Sequence, residues 1–320
     1  MKTIIRILAA IATAGAAQAF AQGYPNKPVH VMITFPPGSG TDIVGRVATQ
    51  KLSEYWGQPV VVENRGGAGG SIGSAVVAKA TPDGYMLLIN SNAHAVNPAI
   101  YANLPYDTLK DFVEIATLAG APNVLVVSSS SKIKSLADLL AEARAAPGKM
   151  NFASAGIGSG THLNLESFKL ATRIDVTHVP YKGTQEVMSD LLSERVAAYF
   201  SPISPAIPFV RDGRLRALAV TSTKRQSSLP GVPTVAEAGV PGFEFTLWFG
   251  LWAPAGIPGD LVEKINKDVN RALSSADVVD RLAKVGQDPM SMSPAEFRQL
   301  VRKEIDDYAR IIKAAGIKPQ

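Results

Sequence analysis

Short runs of apolar, β-branched residues alternate with stretches of helical spacing along most of the chain. Val29 to Phe35 reads as a buried strand, followed by Pro36-Pro37-Gly38-Ser39-Gly40 and a helix predicted from Thr41 to about Trp56. Val60-Val61-Val62 is a second strand, and the glycine-rich Arg65 to Gly70 leads into a helix over Ser71 to Ala80. The turn Pro82-Asp83-Gly84 introduces a third strand, Tyr85 to Ile89. A comparable unit recurs further on. Lys149 to Ser154 looks like a strand end, Ala155 to Gly160 a loop and Thr161 to Leu170 a helix, with further strands at Val176 to Val179, Ala197 to Phe200 and Leu215 to Val220. Strands alternating with helices imply a largely parallel sheet covered on both faces, an α/β fold.

The alternation ends after about Ala253, and the tail from Pro258 to Ala315 has helical spacing. Leu261, Ile265, Val269 and Leu273 share one helical face, and Phe297, Val301, Ile305 and Ile312 share another. Ser293 and Glu296 have capping-box spacing, with Pro294 at the first helical position. Two extended segments, Ile115 to Val127 and Phe245 to Ala253, carry strand-type residues with no helix of their own. If the chain leaves a first lobe on one and returns on the other, they become crossover strands that hinge a cleft. That division makes 22–124 plus 245–320 lobe I and 125–244 lobe II.

Residues 1–21 follow another plan. Lys2 and Arg6 precede a short apolar run from Ile7 to Ala17, and A-x-A-like sites at Ala17-Gln18-Ala19 and Ala19-Phe20-Ala21 follow. This is the layout of a cleaved signal peptide with Gln22 as first mature residue, too short for a bilayer-spanning helix. Hydrophobic residues at 46% and charged residues at 18% describe a globular protein with a full core. The net charge of +5 becomes +3, 30 basic against 27 acidic side chains, once Lys2 and Arg6 are removed. No basic run marks a nucleic-acid partner. The chain has no Cys, which excludes disulfides, thiolate metal sites and a Cys nucleophile.

The chemistry concentrates at two glycine-rich turns that each lead a strand into a helix. In an open parallel sheet, ligands bind beyond the carboxyl ends of the strands. There the first helical N–H groups lack backbone partners and the helix dipole favours an anion. Glycines admit a ligand to the backbone; Ser39, Thr41, Ser159 and Thr161 add hydroxyls, and Asp42 can hold loop amides. Neither turn suits a nucleotide: the first lacks a P-loop Lys, and neither fits G-x-G-x-x-G. Ser159 beside His162 raises a hydrolase as the alternative. It is displaced from the G-x-S-x-G position, and His162 falls on the same helix, too local for a triad. The histidines, His30, His94, His162 and His178, are scattered, without metal-ligand spacing. Ser91, Asn92, Tyr181 and Ser201 sit at strand ends or in loop-to-helix junctions and are candidates to wall a cleft; Trp248 and Trp252 are expected to pack the return strand.

With these residues in place the mature chain resembles the Bug family, the extracytoplasmic receptors of tripartite tricarboxylate transporters. The resemblance rests on Tyr24-Pro25-Asn26-Lys27-Pro28-Val29, Phe35-Pro36-Pro37-Gly38-Ser39-Gly40-Thr41-Asp42, Val61 to Gly70, Ala80 to Tyr85 and Ser159-Gly160-Thr161-His162-Leu163. Val179-Pro180-Tyr181-Lys182-Gly183, Leu229 to Gly239 and Trp252 to Gly256 complete it. It implies a two-lobed type II periplasmic-binding fold, a Venus flytrap, that binds a small carboxylate through loop amides and small polar side chains. Carried over residue by residue, the expected ligand-binding set is Phe35, Pro37, Gly38, Ser39, Thr41 and Asp42 in the first loop, and Ser154, Gly158, Ser159, Thr161 and His162 in the second. Ser91, Asn92, Tyr181 and Ser201 join it from the strand ends. Ser39 stands where many members carry a second Gly, and Ser201 where many carry an Asp suited to an ammonium group, which tilts the expectation away from amino acids. The resemblance also implies a periplasmic monomer, transient contact with inner-membrane transporter subunits, no cofactor and no catalysis.

Overall fold

β1 (Val29–Ile33) is apolar on both sides of its pleat because helices cover both faces of the sheet it starts. A computed structural model describes residues 23–157, 159–181 and 183–319. The expected signal peptide, Gly158 and Lys182 lie outside the described residues. From β1 the chain enters α1 (Gly40–Trp56), β2 (Val60–Asn64), a short 3-10 turn at Ala68–Gly70, α2 (Ser71–Val77), β3 (Met86–Ser91), α3 (Ala93–Ile100) and β4 (Phe112–Ser128). β1 pairs in parallel with β2 and with β3, as the βαβ pattern requires. The expected helix over Ser71 to Ala80 ends at Val77, and α3, which encloses Pro98, goes beyond the sequence reading.

A second βα series follows: α4 (Leu136–Ala145), β5 (Asn151–Ser154), α5 (Gly160–Thr172), β6 (Thr177–Pro180), α6 (Thr184–Leu192), β7 (Ala198–Pro202), α7 (Ile203–Arg211) and β8 (Leu215–Val220). β5 pairs in parallel with β6 and β7. The chain then returns as β9 (Thr246–Pro254) and ends with α8 (Gly259–Leu273), α9 (Ala276–Lys284), β10 (Asp288–Pro289) and α10 (Pro294–Ala314). The tail is therefore not helical throughout. β10 breaks it and pairs antiparallel with β4, Asp288 against Gly120 and Pro289 against Ala119, a pairing too short to show a period in sequence.

β4 joins the two βα series. Its first part, to Pro122, runs antiparallel to β9, which in turn pairs with β3. Its last part, from Asn123, pairs with β7 and β8. Each side chain on β9 therefore reports which layer lies over it. Phe249 and Leu251 join Val44 and Val47 of α1 and Ile265 and Val269 of α8 in one core. Trp248 and Trp252, on the opposite face, pack with Phe297 and Val301 of α10. In α10 the Ser293–Glu296 capping box forms in full, with Pro294 in the first turn.

Candidate functional site

The first loop hangs from the end of β1. Ser39 has extended backbone angles, φ −69° and ψ 161°, and caps α1 by accepting from the Asp42 N–H at 3.2 Å. Gly38 takes a φ of 80°, a conformation that side-chain-bearing residues rarely adopt. Its N–H donates to Asp42 Oδ2 at 2.9 Å. The other carboxylate oxygen, Oδ1, accepts from Arg46 Nε at 2.9 Å and Asn64 Nδ2 at 2.8 Å, and that Asn64 amide also donates to the Phe35 carbonyl. Burial would raise the pKa of Asp42, but the bonds from Gly38, Asn64 and Arg46 outweigh it and hold the carboxyl below its ordinary range. Asp42 thus splints the loop from behind. The N–H groups of Gly40 and Thr41, the first in the helix, remain at its positive end.

The second loop is built the same way. Ser159, with φ −67° and ψ 157°, caps α5 by accepting from the His162 N–H at 3.2 Å. Its hydroxyl donates to the Gly156 carbonyl at 2.7 Å. Thr161 Oγ1 accepts from the Ala155 N–H at 2.9 Å, doing for this loop what Asp42 does for the first, without a charge. Behind it, Ser154 Oγ meets His178 Nε2 at 2.6 Å, and the His178 ring stacks on His162 with centroids 3.9 Å apart. His162 Nε2 lies 3.7 Å from Glu166, which binds Lys169. Burial, then the neighbouring His178 and Lys169, push the pKa of His162 down to about 3; burial and Lys169 push His178 to about 4. Both rings are neutral at pH 7. The Ser159 hydroxyl works as a cap, donating to the Gly156 carbonyl and accepting from the His162 N–H.

β9 brings the two helix starts together. A side chain at Gly40 would meet Phe249 Cζ at 3.2 Å, and one at Gly160 would collide with Leu247 Cδ2. Leu247 and Phe249 are two apart on one strand, on the same side of its pleat and roughly 7 Å from each other. Two Ser-Gly-Thr helix starts from different halves of the chain therefore face one apolar strip. Ile157, in the second loop, is a hydrophobic side chain left 56% exposed.

The other expected residues are placed differently. Pro37 is exposed at the loop tip and Phe35 is half-buried. Asn92 is buried and donates to Tyr308 Oη at 2.8 Å, and Ser91 Oγ accepts from the Ala93 N–H. Tyr181 Oη donates to Asp190, and the buried Ser201 Oγ to the Pro202 carbonyl. These side chains bond within their own half. Leu247, Phe249 and Gln287 were not singled out in sequence, because only the β9 and β10 pairings place them beside the loops.

Comparison with known proteins agrees with this construction. Residues 44–317 match the family described as tripartite tricarboxylate transporter family receptor. Protein BugT of Bordetella pertussis is 39% identical over 311 residues, 96% of this chain and 95% of BugT. Among solved structures, R. palustris Rpa4515 with adipate superposes with a TM-score of 0.81 at 36% identity, over 93% of this chain and all of that one (100%). MatC of Rhodopseudomonas palustris, with bound malate, gives 0.76 at 33% identity, over 90% of this chain and 100% of MatC. The periplasmic binding protein BugD gives 0.78 at 32% identity, over 93% and 100%. By sequence and by its two-lobed fold, the chain belongs to the tripartite tricarboxylate transporter receptor family.

Proposed function

We propose that this chain is an extracytoplasmic receptor that captures a small carboxylate between the N-termini of α1 and α5 and passes it to inner-membrane transporter subunits. The observation that carries this reading is the convergence of two Ser-capped helix starts on Leu247 and Phe249. Helix N-termini stabilise anions through oriented N–H groups, without a titrating side chain. Gly40, Thr41, Gly160 and Thr161 supply the amides, Ser39 and Ser159 fix them, and Ile157, Leu247 and Phe249 contact the carbon skeleton. The dicarboxylates adipate and malate, bound by relatives of this chain, make C4 to C6 diacids the first ligands to try. On this reading the signal peptide is removed before Gln22, and the mature protein works as a periplasmic monomer. Lobe I comprises 22–124 and 245–320, lobe II 125–244, and β4 with β9 forms the hinge. The change of β4 partners between Pro122 and Asn123 supports that division.

A thermal-shift screen over di-, tri- and aromatic carboxylates, with esters and amines as controls, tests the proposal. A ligand at about 100 times its dissociation constant adds about 2.7 kcal/mol to stability and raises the melting temperature accordingly. If no acid shifts the melt while an ester is turned over by wild type and not by Ser159→Ala, the chain is a hydrolase and the receptor reading fails.

A further inference from the structure

β10 does more than close the edge of β4. Continuing its register beyond Asp288–Gly120 and Pro289–Ala119 sets Gln287 opposite Ala121, and Ala121 is itself opposite Leu247 of β9. Residues directly opposite in a ladder point to the same side of the sheet, as do residues two apart on one strand. Gln287, Ala121, Asn123, Leu247 and Phe249 thus share one side, the side on which α1 and α5 begin. Gln287 Nε2 lies 3.5 Å from the position a Gly40 Cβ would occupy, which fixes the amide at the α1 N-terminus.

Both amides are buried, Asn123 to 0% and Gln287 to 5% exposure. Among the described residues, neither Asn123 Nδ2 nor Oδ1 has a hydrogen-bond partner, and neither has Gln287 Oε1. A buried amide left unpaired costs about 1–3 kcal/mol. The loops offer donors, and the amides add two unpaired acceptors and, at Asn123 Nδ2, one unpaired donor, so the floor of the site calls for a group that donates as well as accepts. An ionised carboxylate only accepts. A hydroxyl does both, and an ammonium would seek a carboxylate, which here is Asp42, already engaged by Arg46 and Asn64.

We propose that Asn123 and Gln287 form an amide floor between the two helix N-termini that reads a hydroxyl next to the bound carboxylate, so that the site prefers 2-hydroxy acids to unsubstituted acids of the same length. The preference rests on the carboxylate-receptor reading and deepens it. Gln287 also ties recognition to the other βα series: Val285, two residues before it, accepts from Ser204 Oγ, and a side chain at Gly286 would meet Ile203 Cγ2 at 2.5 Å, both at the start of α7.

Calorimetric titration of the intact mature protein with matched pairs, malate against succinate and 2-hydroxyglutarate against glutarate, tests it. Wild type is expected to bind the hydroxylated member about tenfold more tightly, the worth of one good hydrogen bond. Gln287→Met and Asn123→Leu keep volume and remove the amide; each is expected to bring the pair to within about twofold, the hydroxylated member losing more affinity than the unsubstituted one. Should Asn123→Leu fail to fold, Gln287→Met, on the short β10 approach, carries the test. Equal affinities within the wild-type pairs, or a preference that survives Gln287→Met, overturns the amide floor and leaves the receptor intact. Binding of neither member of either pair, nor of any other carboxylate, overturns the receptor reading and the floor with it.

Discussion

On the proposed reading, Asp42 serves an anion site without meeting the anion. Its two oxygens accept from Gly38, Arg46 and Asn64, so its charge is balanced before any ligand arrives, and the loop is held in its working shape. Removing the carboxylate frees Gly38 and leaves Asn64 Nδ2 donating to the Phe35 carbonyl alone, with Asn64 Oδ1 still accepting from Arg46. Asp42→Ala is therefore expected to raise the carboxylate dissociation constant about tenfold or more in calorimetry, through lost pre-organisation, with the far-UV circular dichroism spectrum unchanged. Unchanged affinity would remove Asp42 from the site's support. The glycine-rich turns that open α1 and α5 were legible in sequence because a turn and its helix are adjacent in the chain, whereas the cap roles of Ser39 and Ser159, read there as site hydroxyls, were not. Asn123 and Gln287 were not, since their meeting depends on a two-residue strand pairing across the molecule.

At the scale of elements, β9 acts as the gauge between the helix starts. Gly160 sits so close to the Leu247 side chain that a methyl group there displaces either that side chain or the helix. Gly160→Ala is expected to weaken ligand binding about tenfold, and adding Leu247→Ala to recover most of the loss. The non-additivity is read from a double-mutant cycle, and additive losses would show that the contact does not set the spacing. Sequence periodicity located β1, α1, β5 and α5 well, because burial on both faces and a single amphipathic stripe leave strong local patterns. It did not reveal α3, whose Pro98 reads as a break, or β10, too short for any period.

For the whole molecule, three neutral histidines weaken the fold towards acid, opposed by Glu304, whose burial raises its pKa to about 7. His94 is enclosed by Tyr106, Phe112 and Trp252, and burial lowers its pKa to about 3; His162 and His178 titrate at about 3 and about 4. Unfolded, each takes up a proton near 6.5, so between that value and the folded pKa the unfolded chain holds more protons. Their contribution to stability is complete above about 6.5 and is lost progressively as the pH falls towards 3 to 4. Melting temperatures measured from pH 7 to pH 4 are expected to fall, and His94→Phe, which keeps the aromatic packing, to flatten the slope. A slope identical to wild type would mean that His94 does not titrate in this window. The two-lobed plan was readable in sequence from its two extended segments, whereas the stacking of His162 on His178 was hidden because they come from different elements of the second βα series.

The pairing of β3 with β9 has a consequence for how the chain is made. A ribosome releases β1 to β3 long before Thr246 to Pro254 exists, and the second βα series must emerge between them. The first half therefore waits, its β3 edge open and its apolar faces uncovered, until the last quarter of the polypeptide arrives. Contacts so distant in sequence close slowly. The sheet around β3 is thus completed by one of the last strands to be made, and this part of the fold closes late in synthesis.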